Sequence, residues 1–82
     1  MHPSRNLALM EAFAVELKTR RRALGISQEE LALRSKVNRT FVARMESGQN
    51  QPSLSVLFLL CEGLKIKPEE LMVSIHQRMA GK

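Results

Sequence analysis

The side chains that carry out acid–base, nucleophilic or metal chemistry are scarce in this sequence. It has no Asp, and its two histidines, His2 and His76, stand near opposite ends with no partner in the pattern. General acid–base work needs such groups held together, so it has no candidate pair here. Glu29–Glu30 and Glu69–Glu70 are adjacent carboxylates, but each pair stands where a helix is expected to begin, and the helix dipole accounts for both. Cys61 is the only cysteine, which excludes an intramolecular disulfide and a cysteine-based zinc site. It follows the apolar residues Leu57, Phe58, Leu59 and Leu60 and reads as core rather than as a nucleophile. No glycine-rich phosphate cradle occurs. The expectation is a protein that is not an enzyme and needs neither cofactor nor metal.

Cations are what the sequence has in excess. Thirteen Lys and Arg against eight Glu give a net charge of +5. The excess is local. Between positions 18 and 46 lie Lys18, Arg20, Arg21, Arg22, Arg34, Lys36, Arg39 and Arg44, opposed only by Glu29, Glu30 and Glu46, and the rest of the chain is neutral. Such a segment implies an anionic partner, nucleic acid before a membrane surface.

The elements that must position these cations read as helices. In 7–24 the apolar residues Leu9, Met10, Phe13 and Leu17 recur at helical spacing, and Gly25 follows as a stop. Ser27-Gln28-Glu29-Glu30 has the form of a capping box and opens a second helix that ends near Ser35. Asn38 caps a third, which carries Phe41, Val42 and Met45 and ends before Gly48. Pro52-Ser53 opens a fourth, which Gly63 is expected to close, and Pro68 opens a fifth. Strand signals are absent. Eighty-two residues, 44% hydrophobic and 26% charged, make one small globular domain over 1–82 rather than a disordered chain. No apolar run reaches membrane-spanning length, and Glu11 and Glu16 interrupt any N-terminal signal. With a single cysteine, the expected compartment is a reducing cytoplasm.

Two short helices joined by a tight turn inside a basic segment are the physical description of a helix-turn-helix, here 28–47. The stretch QEELALRSKVNRTFVARMES resembles the helix-turn-helix of the lambdoid repressor and Cro family, also called xenobiotic-response-element regulators. QPSLSVLFLLCEGLKIKPEELM is similar to that family's fourth and fifth helices, so the likeness covers most of the chain. The fold implied is all-α, a compact five-helix domain of the lambda-repressor type. One position departs from the family: the turn, usually glycine there, holds Lys36. The same geometry would put Lys36 in a left-handed conformation at a cost of about 1 kcal/mol.

The resemblance implies roles residue by residue. Arg21 and Glu46 match an arginine and a glutamate that pair in the family, and the role expected of them is structural. The start of the third helix enters the major groove, which makes Asn38, Arg39, Thr40 and Arg44 the base-reading candidates. Arg39 and Arg44 suit guanine, Asn38 suits adenine or a phosphate, and Thr40 suits a thymine methyl. Phe41 fits either a thymine methyl or the core. Gln28 at the start of the second helix faces a phosphate in the family, and Arg22, Arg34, Lys36, Asn50 and Gln51 are further phosphate candidates. The expected partner is double-stranded DNA with a palindromic operator.

The family pairs two recognition helices about one helical turn apart, roughly 34 Å, which implies a homodimer. Met72, Ile75 and Met79 on the last helix are the expected interface. Leu54, Leu57 or Phe58 are possible contributors, and Leu7 and Met10 offer a competing surface. The short single-domain architecture resembles restriction–modification controller proteins and small phage or plasmid repressors, which implies a transcriptional regulator. The alternative is a protein-interaction module of the same fold, an antitoxin or a bridging coactivator. A toxin would then be a further partner, and RNA polymerase would be one for a regulator that activates. Against pure bridging stand the basic third helix and Gln28. The amphipathic stretch 7–22 would also suit a membrane surface, but its simpler use is as scaffold, and no membrane partner is expected.

Overall fold

The computed structural model describes residues 6–81, and these form five helices and no strand. Helix α1 spans Leu7–Ala23, α2 Gln28–Ser35, α3 Arg39–Glu46, α4 Leu54–Leu64 and α5 Pro68–Ala80. His2 lies outside the described residues.

Local chemistry sets most of the boundaries. The Asn6 side chain accepts from the Leu9 amide at 3.0 Å and starts α1, and Gly25 ends it with φ +71°. The Ser27 hydroxyl accepts from the Glu30 amide at 3.0 Å. Only this half of the expected capping box forms, because the Glu30 carboxylate turns outward to Arg34 at 2.9 Å. Asn38 caps α3 through the Thr40 amide at 2.7 Å, and Ser53 caps α4 through the Val56 amide at 3.1 Å. Pro68 takes the first position of α5, where a missing N–H costs nothing.

Two turns are tighter than glycine-free sequence usually allows. Lys36, at the end of α2, has φ 57° and ψ 39°, and Lys65, at the end of α4, has φ 59° and ψ 42°. Lys36 meets the left-handed expectation. Lys65 was not foreseen, because Gly63 was expected to close α4. Gly63 instead lies inside the helix and is buried. A Cβ there would collide with the Ser35 hydroxyl, so its lack of a side chain serves the crossing of α2 and α4 rather than a turn.

The core lies between these helices. Leu17 of α1, Leu31 of α2, Val42 and Met45 of α3, Leu60 and Leu64 of α4 and Leu71 of α5 have at most 2% of their surface exposed. Each such burial stabilises by about 1.5–3 kcal/mol before entropy is counted. Ala32 is buried as a small residue at the tight base of the α2–α3 turn, where its carbonyl accepts from the Val37 amide at 3.1 Å. Cys61 is also buried, and burial pushes its thiol pKa up, as expected of a core position.

A tie missed in the sequence joins α1 to α5. Glu16 is 4% exposed and accepts from Arg20 Nε at 2.7 Å and from Arg78 Nε at 2.6 Å. Arg20 also donates to the Ser74 hydroxyl at 2.9 Å, so α5 is fastened along α1. Burial alone would raise the Glu16 carboxyl pKa, and the two guanidiniums outweigh it and hold it below its ordinary value.

Candidate nucleic-acid interface

Helix α3 is two-faced. Val42, Met45 and Glu46 are buried, and Asn38, Arg39, Thr40 and Arg44 are exposed. Among the described residues, neither Arg39 nor Arg44 makes an ion pair, so both guanidiniums keep their donors for a ligand. The Asn38 Oδ1 is taken by its own helix, as cap to Thr40, and its Nδ2 remains as donor. Phe41 packs partly buried against the core and also lines a shallow hollow with Met10, Gln49, Asn50 and Gln51.

A buried carboxylate fixes the inner side of this helix. Glu46 Oε2 accepts from Arg21 Nε at 2.6 Å, and Oε1 accepts from Arg21 Nη2 at 2.9 Å. The Glu46 side chain is 2% exposed and that of Arg21 12%. Arg21 Nη1 donates as well to the Ile26 carbonyl at 2.9 Å, which fastens the α1–α2 loop. The family-derived pairing of Arg21 with Glu46 is therefore present, and it ties α1 to α3. A third donor was not foreseen: Gln28 Nε2 reaches Glu46 Oε1 at 3.0 Å. Burial alone would raise the Glu46 carboxyl pKa. The hydrogen bonds from Arg21 and Gln28, with the charges of Arg21 and Lys18, hold it below its ordinary value.

The remaining cationic and amide candidates lie around this frame. Arg22 is exposed in the last turn of α1 and Lys36 in the α2–α3 turn. Arg34 is exposed and holds Glu30. Gln28 is half-buried at the first position of α2, where the Gln28 and Glu29 amides have no intrahelical carbonyl to donate to. The α3–α4 loop folds back on its helix: the Gln49 amide donates to the Arg44 carbonyl at 2.9 Å, with Asn50 half-buried and Gln51 exposed beside it.

The helix-turn-helix family matches residues 17–71, about two thirds of the chain and the whole of this frame. The chain belongs to the helix-turn-helix family. A transcriptional regulator of the helix-turn-helix type from Haemophilus influenzae, itself uncharacterized, is 44% identical over 52 residues. That match takes in 63% of this chain and 53% of the relative, so the chain spans about half of that protein's length. Among solved structures, the restriction–modification controller protein C.AhdI from Aeromonas hydrophila is 39% identical, with a TM-score of 0.73 over 76% of this chain and 94% of that one. Controller protein C.Esp1396I, solved as a tetramer on its natural 35-base-pair operator, has a TM-score of 0.82 over 88% and 95% of the two chains. At 22% identity this last likeness speaks for the fold.

In this helix-turn-helix chain the expected interface residues are placed unequally. Met72 is 41% exposed and its neighbour Val73 56%, while Ile75 is 3% exposed and belongs to the core, and Met79 packs against that core half-covered. Met10, part of the competing surface, is buried, and Leu7 is exposed. Leu54 and Phe58, at 72% and 49%, extend the apolar surface onto α4. Between α1, α4 and α5 lies a groove of about 180 Å³, floored by Phe13, Leu57 and Ile75 and rimmed by Leu54 and Met72. No described helix is long and apolar enough to cross a membrane.

Proposed function

We propose that this helix-turn-helix protein is a sequence-specific, double-stranded-DNA-binding transcriptional regulator, working in the cytoplasm as a homodimer without catalysis or cofactor. One observation carries the reading: the outward face of α3 holds exposed Asn38, Arg39, Thr40 and Arg44, with both guanidiniums unpaired among the described residues, on a helix locked from behind by Arg21 and Glu46. Arg39 and Arg44 pair with guanine O6 and N7, and Thr40 meets a thymine methyl. The cap at Asn38 leaves only a donor outward, which favours phosphate over adenine for that residue.

Gln28 and the free amides of α2 take one phosphate, with Arg22, Arg34, Lys36, Asn50 and Gln51 adding others. The Arg34–Glu30 pair does not oppose this, since an exposed i,i+4 pair is worth only about 0.3–0.5 kcal/mol. The second copy covers the exposed apolar surface of Met72, Val73, Leu54 and Phe58, and Ile75 and Met79 back it from below. Likeness to the Aeromonas hydrophila restriction–modification controller protein supports the reading as a regulator.

Fluorescence anisotropy on a labelled duplex tests the binding mode. Log affinity is expected to fall linearly with log salt, with a slope of about −0.9 for each phosphate neutralised. Salt-independent affinity, or none, would contradict the proposal.

A further inference from the structure

The hydrogen bond from Gln28 to Glu46 sets a polarity. A side-chain amide has a donor end and an acceptor end of nearly equal size, and in solvent it presents either. A phosphate accepts only. Glu46 is an ionised carboxylate, held so by Arg21, and it also accepts only. Turning the Gln28 amide over would set its oxygen against Glu46 Oε1, so Nε2 must face inward, at the observed 3.0 Å. One N–H of that nitrogen is then committed to Glu46, and the second stays available at the start of α2.

We infer that Glu46 is a positioning residue for phosphate recognition: by accepting from Gln28 Nε2 it keeps the remaining N–H donor, rather than the amide oxygen, turned to a backbone phosphate at the N-terminus of α2. The inference rests on the proposed DNA reading and on the phosphate role of Gln28. It adds a second duty to a residue whose pairing with Arg21 is otherwise structural. Glu46 comes from the far end of α3 and Gln28 from the start of α2, so the donor that meets the backbone is aligned by the helix that reads the bases.

The test is a double-mutant cycle read at single phosphates. A duplex selected by the wild type carries a neutral methylphosphonate at each backbone position in turn. Affinity is measured at low temperature for the wild type, Gln28→Ala, Glu46→Gln and the double variant. Among the sensitive positions, the phosphate met by the start of α2 is expected to cost the wild type about tenfold more when neutralised than it costs Gln28→Ala, the size of one charge-assisted hydrogen bond. At that position Glu46→Gln, whose amide can donate or accept, and the double variant are expected to match Gln28→Ala within about twofold, the cost left to the α2 amides alone.

A cost in Glu46→Gln still about tenfold above that in Gln28→Ala would overturn the inference while leaving the phosphate role of Gln28 standing. No position at which the wild type loses more than Gln28→Ala, in a wild type that still binds with base preference, would overturn both. A wild type that binds no duplex would overturn the DNA reading beneath them. The wild type alone gives a second readout, independent of whether Glu46→Gln stays folded. Its Gln28 side-chain amide is expected to show one hydrogen-bonded, slowly exchanging proton by NMR in the free protein. An amide averaged like those of exposed glutamines would overturn the inference.

Discussion

Gly63 of α4 lies against Ser35 of α2 so closely that the serine hydroxyl occupies the space a Cβ on residue 63 would need. The contact sets how near α4 packs to the first helix of the helix-turn-helix. Alanine is the better helix former by about 1 kcal/mol, yet Gly63→Ala is expected to destabilise by about 1–3 kcal/mol, because overpacking outweighs propensity. Urea denaturation followed by circular dichroism measures it. The Ser35 hydroxyl is also buried, with no hydrogen-bond partner among the described residues. Ser35→Ala is therefore expected to stabilise the wild type by about 1 kcal/mol and to recover part of the Gly63→Ala loss.

Lys36 and Lys65 both hold a left-handed backbone that glycine adopts freely. Lys36→Gly and Lys65→Gly are each expected to raise the urea midpoint, by about 1 kcal/mol of stability at most. Lys36→Gly should at the same time weaken DNA binding at low salt and flatten its salt slope by about one phosphate, whereas Lys65→Gly should leave binding alone. A binding loss common to both variants would remove Lys36 from the phosphate set.

The buried carboxylates make stability depend on acid. Folding lowers the Glu46 and Glu16 pKa values, so each contributes stability above its ordinary unfolded value near pH ~4.3 and loses it as pH falls through the lowered folded value. Urea midpoints are expected to hold above about pH 5 and to drop steadily below about pH 4. Glu46→Ala strands a guanidinium that is only 12% exposed, and a loss of about 3 kcal/mol is expected at neutral pH. The variant should also show a shallower fall in acid than the wild type. A neutral result at pH 7 would mean that the pair carries no stability.

Arg44→Ala is expected to relax base preference at one position of each half-site by about 1–3 kcal/mol, read by competition among single-base variants of the selected site. An undiminished preference at every position would take Arg44 out of the reading set.

Val73→Glu, on the exposed face of α5, adds a charge without touching the core. It is expected to leave the helical spectrum intact and to turn a dimer into a monomer in analytical ultracentrifugation, with weakened operator binding. An unchanged sedimentation coefficient would place the dimer contact elsewhere.

What the sequence made legible was local or carried by family likeness. Ser27, Asn38 and Ser53 each satisfy an amide two or three residues on, and Gly25 stops a helix with its own dihedral, so their types announce their work. The Arg21–Glu46 pair was readable only through the family, because nothing local joins residues 25 apart. Glu16 and Arg78, 62 apart, had no such guide, and Glu16 reads in isolation as one more solvated charge on an amphipathic helix. Gly63 misled for a physical reason: a glycine after an apolar run looks the same whether it ends the helix or admits a neighbour. Only the position of Ser35 distinguishes the two. Gln28 was singled out for its place at a helix start, but its bond to Glu46 depends on how α3 returns across α2.

The central claim is that this chain reads base sequence as a symmetric pair. Selection of binding sites from random duplex DNA tests it most directly, at about 0.15 M salt, where nonspecific phosphate attraction is already weakened. The account predicts enrichment of a palindrome whose half-sites lie about one helical turn apart, roughly 34 Å. Salt-sensitive binding to every duplex with no enriched sequence would contradict it.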